Sequence, residues 1–577
     1  MRFPVFTDRQ RNAIAWFASA IIIALSTALI VNTLRLLDRG FDFTDESFYL
    51  MVAAQPAAYD LAYGLWGYGL YPLYELVGGS ISNLRRAGAV ILVFLGAVTG
   101  VCVLRIAKMN WRSAAGVQIV GVSMCFPLTY YSLWIPTPSY NWIVAVGAMF
   151  LLLAVVLLYE AGHRLHSAAA AAVAAALVLL TRPANMLGFG AIYLAAIFLA
   201  IPDGKDRRLQ IWRAACFTAI AVTGIALISP LGTIFSQSRE YTAIFGMARP
   251  IQFSFADQQI DFVNSQWLWP VSAFAFAFAV FLRREGTLVS NRAAALICMI
   301  AMAVLVAVIW RSVPYRHPSR IGTTTGMLAF LVLSVACLNR DVELRLIALL
   351  GAAGLIPWIA TLGSANAVSI QLAFYAGLSS LIALAGATLI ARRHAATVTV
   401  AAVVGLYVTY SAIESGLASP YRLAAPVSAQ LIPSELGRAL ELKLDDKTSA
   451  FIAALRKVAK QNGFCYGDSA IDLSGSLPGA VFAIGGHMPV FPWILSGYPV
   501  SNTLLQEYVK RLGRPRLERS WLITGETSNS FSMQTLQSTG IDFAGYRLVH
   551  DLPHPVDGTS VKIYAPLKDR GVTPCGR

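Results

Sequence analysis

Residues 13–50 read AIAWFASAIIIALSTALIVNTLRLLDRGFDFTDESFYL, an apolar run followed at once by FDFTDESFYL, residues 41–50. The run is long enough to cross a bilayer as a helix and carries no small-residue cleavage signal, so the segment is expected to stay as a membrane anchor. Just beyond it stand two adjacent carboxylates, Asp45 and Glu46, with Tyr49 four residues after Asp45. Residues four apart share a helix face while neighbours point about 100° apart. Asp45 and Tyr49 are therefore expected to look into one site and Glu46 elsewhere. Ionisable groups held beside a large apolar mass at a membrane surface are functional candidates, although a bare pair of acids is often only a solvated loop.

Working outward, the pattern repeats along the chain. The sequence of 577 residues is 57% hydrophobic and 13% charged, about half the charged fraction of a soluble protein. Apolar runs recur near 12–32, 87–107, 114–134, 139–159, 167–181, 186–201, 211–230, 267–282, 293–310, 320–338, 344–361, 368–390 and 396–413. The fold class this predicts is an all-α polytopic membrane domain of about 13 transmembrane helices, residues 1–413, with a mixed α/β domain over residues 414–577 outside the membrane.

The net charge of +15 sits mostly in short loops, which points to membrane topology and anionic lipid and argues against nucleic acid as a partner. Loops holding Arg9, Arg11, Lys108, Arg112, Lys205, Arg207, Arg283 and Arg392 are expected on the cytoplasmic side of a bacterial inner membrane. An odd span number then puts residues 33–86, 231–266 and everything after 413 on the other, periplasmic side. The seven cysteines show no metal spacing; Cys465 and Cys575 could pair by a disulfide in an exported region.

Before residue 443 the only lysines are Lys108 and Lys205. Every outer cation of the membrane region is thus an arginine, whose rigid fork of donors suits phosphate. Several of these arginines need only snorkel to headgroups. Arg316 and Arg320, in WRSVPYRHPSR, are denser than that requires. Residues 56–80 hold Tyr, Trp and Gly without a spanning run, as interfacial helices do, with Glu75 on one of them.

These features resemble the GT-C superfamily of polyprenyl-phosphate-sugar glycosyltransferases, which includes protein O-mannosyltransferases and aminoarabinose transferases. The resemblance rests on Asp45-Glu46-Ser47-Phe48-Tyr49 in the first outer loop, on Tyr71-Pro72-Leu73 followed by Arg85 or Arg86, and on Arg182-Pro183-Ala184 after the fifth span. It departs from the family at Tyr71, where proline is usual, and at Ala184, where threonine is usual. The resemblance implies transfer of a sugar from a polyprenyl-phosphate donor to an envelope acceptor (lipid, glycan or protein), by single displacement. It implies Asp45 as base, with Glu46 as fallback and Glu75 as a second acid; Tyr49 would orient, and Arg85, Arg86, Arg182, Arg316 and Arg320 would bind substrate. Some relatives use a divalent metal, for which Asp45 with Glu240 or Asp257 is open here.

Two alternatives have their own residues. Gly467-Asp468-Ser469 and Asp551-Leu552-Pro553-His554 resemble the paired motifs of SGNH hydrolases, which would make Ser469 a nucleophile, His554 its base and the chain a membrane acyltransferase. A lipid-linked sugar flippase or transporter is the other. Transporters carry charges near the midplane and repeated broken helices, whereas the acids here cluster in outer loops.

Overall fold

The structure, a computed structural model, describes residues 7–59, 64–232, 268–284, 318–339, 341–364, 368–390, 395–437, 440–497, 500–526 and 530–567, together with residues 236, 239, 240, 243 and 366. Among them, nine helices are long and apolar enough to cross a membrane, and three shorter apolar helices accompany them at Ser272–Phe281, Ile321–Cys337 and Ala376–Ile390. All coincide with apolar runs of the sequence. The run at 293–310 lies outside the described residues. This is a multi-span membrane protein whose described residues form helices as far as Ala418, followed by a small α/β region.

Helix α1 (Asp8–Leu36) opens with a capping box in which Thr7 and Gln10 satisfy each other's backbone amides. Its outward face, Ile14, Phe17, Ile21 and Leu25, is exposed and apolar, as a lipid-facing surface must be. After residues 37–44 come α2 (Asp45–Ala54) and α3 (Trp66–Leu76), both too short to span, and then the crossing helix α4 (Ile81–Ile106). Residues 56–80 thus hold the short helices expected of an interfacial segment.

The C-terminal region contains a hairpin, β1 (Ile432–Leu436) and β2 (Leu440–Leu444), and a four-stranded sheet. The sheet consists of β3 (Ala470–Asp472), β4 (Trp521–Gly525), β5 (Tyr546–Pro553) and β6 (Ser560–Pro566), in the order β3-β4-β6-β5. β3 and β4 are parallel; the other neighbours are antiparallel. The sequence predicts an amphipathic helix over 445–461 and short strands at FCYGD, WLIT, YRLVHDL and VKIYAPL; the helix is Asp446–Gln461, and three of the four strands form. The fourth, Phe464–Asp468, is instead a turn: Gly467 has φ +87° and the Asp468 carboxylate accepts from the Cys465 amide. Cys465 is disulfide-bonded, and Cys575 lies outside the described residues.

The stretch 471–501 is dense in Gly, Pro and aromatics, a composition that predicts a loop system facing the membrane domain rather than a core, yet it is a buried seam. Leu473, Leu477, Val481, Met488, Phe491 and Ile494 are each at most 2% exposed. This stretch is where the sheet region meets the first loop. Gly40 donates its amide to the Lys443 carbonyl, Lys443 donates back to Asp38 O, and its Nζ reaches Asp38 Oδ2 at 2.8 Å. The helix Pro478–Ala483 lies so close on α2 that a Cβ at Gly479 would stand 2.4 Å from Ser47 Oγ. The first loop, α2 and the C-terminal region therefore share one side of the helical bundle.

Candidate active site

Helix α2 begins in a knot of side chains that its own sequence supplies. Asp42 accepts from the Thr44 amide and hydroxyl and from the Glu46 amide, satisfying donors that a helix start leaves open. Asp42 is 4% exposed, and burial first, then the charge of Asp45, push its carboxyl up to about 7, against hydrogen bonds from Thr44. That knot aims the next two carboxylates in different directions.

Glu46 turns into the bundle. Arg85, on α4, contacts its Oε1 through Nη2 at 2.7 Å and Nε at 3.0 Å, and Thr137 donates to the same oxygen. The remaining Arg85 donors go to the carbonyls of Leu37, Arg39 and Gly40 at 3.0, 3.2 and 2.9 Å. Both side chains are essentially sealed from solvent, at 0% and 2% exposure. Arg85 is the pin that holds residues 37–40 against the bundle, with its donors already engaged.

Asp45 turns outward and keeps 21% of its side chain exposed. The Tyr49 hydroxyl donates to Oδ1 at 3.2 Å, and Arg422 Nη1 lies 3.4 Å from Oδ2 and 2.8 Å from Thr44 Oγ1. Arg422 adopts φ +53°, an uncommon conformation for a non-glycine residue. Behind Tyr49 the aromatic packing continues: its ring meets Tyr140 at 5.6 Å, and the Arg182 guanidinium lies 5.3 Å from the centre of the Tyr140 ring. Arg182 is 3% exposed and donates to Asn141 Oδ1, Gln371 Oε1 and the Ala360 carbonyl.

The other sequence candidates are scattered. Arg86 is 40% exposed and reaches Asp38 at 4.0 Å. Glu75 is exposed on α3. Glu240 pairs with Arg511 of the C-terminal region. Arg316 and Asp257 lie outside the described residues, as does the Arg320 side chain. Among the described residues no group of three His, Cys, Asp or Glu side chains is placed to hold a metal ion.

The hydrolase-like dyad is not assembled. Ser469 Oγ bonds Ser520 Oγ at 2.6 Å, and His554 Nδ1 faces Asp557 Oδ1 at 2.9 Å. Ser469 precedes β3, and His554 follows β5 at the far edge and opposite end of the sheet. Three inter-strand steps alone separate those edges by about 14 Å. The acyltransferase expectation is therefore corrected: two short motifs matched, and the topology sends them to opposite corners.

A cleft of about 430 Å³ opens beside Asp45, between the first loop and the segments that follow β3 and β5. Asp42, Thr44 and Arg422 line one wall; Ser476, Trp493 and His554 line the other. Burial lowers the His554 pKa, outweighing the opposing pull of Asp557. Sequence reasoning missed Arg422 because it lies beyond the last span. A signal was there: Pro420-Tyr421-Arg422 repeats the Pro314-Tyr315-Arg316 of the arginine-dense loop. The arrangement joins a carboxylate able to take a proton to guanidinium groups able to hold an anion, at the junction of an apolar bundle and an aqueous cleft.

No family model and no curated protein matches this chain. Among solved structures, the crystal structure of ArnT from Cupriavidus metallidurans in the apo state is similar at a TM-score of 0.37 and 11% identity, covering 96% of this chain and 98% of that one.

Proposed function

We propose that the chain is an integral-membrane glycosyltransferase of the GT-C kind, moving a sugar from a polyprenyl-phosphate donor to an envelope acceptor at the membrane surface. One observation carries the reading: of two adjacent acids, Glu46 is sealed inside the bundle, whereas Asp45 stays partly exposed and pairs with Arg422, a guanidinium that lines the cleft.

The chemistry then follows from the residues. The acceptor hydroxyl attacks C1 of the sugar from the face opposite the phosphate. Asp45 takes its proton, a role a carboxylate fills when within hydrogen-bond reach. As the new C1–O bond forms, the bond from C1 to the phosphate oxygen breaks, and the electron pair leaves on the polyprenyl phosphate. Arg422 is set to receive that charge, with Arg182 deeper, beyond the edge-to-face Tyr49–Tyr140 pair. A fixed donor aimed at developing charge is worth roughly 3–4 kcal/mol. The isoprenoid tail would lie against the apolar helix faces. Arg85 and Glu46 serve by fixing the loop that aims Asp45.

The test is Asp45→Asn in proteoliposomes, given polyprenyl-phosphate mannose and polyprenyl-phosphate aminoarabinose labelled in the sugar, with membrane extract as acceptor. Transfer is expected to fall by roughly 10²–10⁴ while the protein inserts and elutes as the parent does. Undiminished transfer by that variant would remove Asp45 from the mechanism.

A further inference from the structure

A second cleft, of about 220 Å³, lies at the other end of the seam between α2 and the helix Pro478–Ala483. Its walls include Met51 and Gln55 from the end of α2, Tyr59 and Tyr74 from the interfacial segment, and Tyr466 and His487 from the C-terminal region. Met51 is six residues from Asp45, about 9 Å along a helix. The cleft is thus separate from the carboxylate yet close enough for one extended ligand to touch both.

Its chemistry differs from the first cleft in one respect above all. Among the described residues, no Asp, Glu, Lys or Arg lines it, in a protein of net charge +15. The lining is aromatic: the Tyr59 and His487 rings stack at 5.8 Å with 29° between their planes, and Tyr466 is 62% exposed at the rim. Burial lowers the His487 pKa, which favours the neutral imidazole, a donor on one nitrogen and an acceptor on the other. The space is kept open by backbone: Gly78 and Gly467 have φ of +67° and +87°, and a Cβ on either would meet nothing within 4 Å.

From these features we infer that this cleft binds a neutral saccharide, the glycan part of the acceptor, and so holds the acceptor at the membrane surface while its hydroxyl reaches Asp45. The inference rests on the transferase reading for the word acceptor, and on the cleft alone for the saccharide. Flat aromatic faces match the C–H faces of a sugar ring, and phenol, amide and imidazole groups match its hydroxyls. An anionic headgroup would call for guanidinium groups, and none stands among the cleft's described lining residues. The volume lies below the range of drug-sized sites, which suits one ring rather than a chain.

The experiment uses the full-length protein in a detergent without a sugar headgroup, with saturation-transfer NMR as the readout. The probes are methyl α-mannopyranoside, methyl β-arabinopyranoside and, as an anionic counterpart, methyl glucuronoside. The neutral glycosides are expected to receive saturation and the glucuronoside to receive none. Tyr466→Ala, a rim substitution, and the double variant Tyr74→Ala with His487→Ala should each weaken binding by about tenfold or more, while Asp45→Asn should bind as the parent does. In a transfer assay Tyr466→Ala should raise KM for the acceptor and leave kcat unchanged. Binding of the neutral glycosides by a parent protein that transfers sugar from neither polyprenyl-phosphate donor would sink the transferase reading and leave the saccharide site standing. No saturation of either neutral glycoside, saturation of the glucuronoside equal to theirs, or parent-like binding by both cleft variants would overturn the site itself.

Discussion

Helix α2 carries a carboxylate on each of two faces, and their surroundings differ in every respect that sets chemistry. On the bundle side, Glu46 and Arg85 are closed off from water, and the guanidinium is saturated by one carboxylate and three carbonyls. On the cleft side, Asp45 and Arg422 meet at 3.4 Å, with 21% and 43% of their side chains exposed. One pair is built to stay, since removing either member strands a buried charge. The other is built to exchange: a ligand phosphate can replace the carboxylate on Arg422 at little cost, because the pair is weak in partial solvent. The same two residue types therefore serve as structure and as reagent, according to burial and the number of donors already engaged.

The strongest way to break this comparison is Arg85→Met. It leaves Glu46 unpaired and strands the carbonyls of Leu37, Arg39 and Gly40, so a loss of about 3–5 kcal/mol is expected. The variant should fail to accumulate in the membrane or should melt far below the parent in differential scanning fluorimetry. Adding Glu46→Gln removes the stranded charge and should recover part of the loss. A melting point equal to the parent's for Arg85→Met alone would mean that the pin holds nothing.

The next test sharpens the other half. Arg422→Lys keeps the charge but replaces the planar guanidinium, whose Nη1 meets both Thr44 and Asp45 and whose fork of donors suits a phosphate, with a single ammonium. Transfer should drop by roughly 10²–10³, with the melting point changed by little, since the guanidinium is partly exposed. Equal effects on folding and on transfer would erase the distinction between the two pairs.

How far the sequence foretold this contrast depends on the link in the chain of argument. Spans were legible because hydrocarbon demands long apolar runs whatever the tertiary fold. The Asp45–Tyr49 contact was legible because helix geometry brings residues four apart together. The choice between Arg85 and Arg86 was not. Adjacent helix residues diverge by about 100°, and only packing tells which one faces Glu46. Arg422 was out of reach for another reason, because its partner Asp45 is 377 residues away and no local period links them. Ser469 and His554 misled because motif spacing says nothing of strand order, and the order β3-β4-β6-β5 carries them apart.

The smallest effect concerns Asp42, which stands between the two pairs: its carboxyl caps the start of α2, and the charge of Asp45 bears on it. Its folded-state pKa of about 7 lies above the ordinary 3.8. The folded protein therefore holds a proton there that the unfolded chain has released. By linkage, the stability this contributes is fully present below about 3.8 and is lost as pH rises through about 7. The groups bearing on it are Asp45, whose charge raises its pKa, and Arg422, whose charge lowers it; His554 lines the same cleft. Asp42→Asn keeps an acceptor for Thr44 and cannot ionise. Across pH 5.5 to 8, the fall in melting point should accordingly be shallower in Asp42→Asn than in the parent. Identical slopes would mean that Asp42 is already ionised in the fold, and that Arg422 compensates two carboxylates instead of one. The cleft side of α2 would then hold its guanidinium as firmly as the bundle side does, and the ready exchange with phosphate assigned to Arg422 would lose its physical basis.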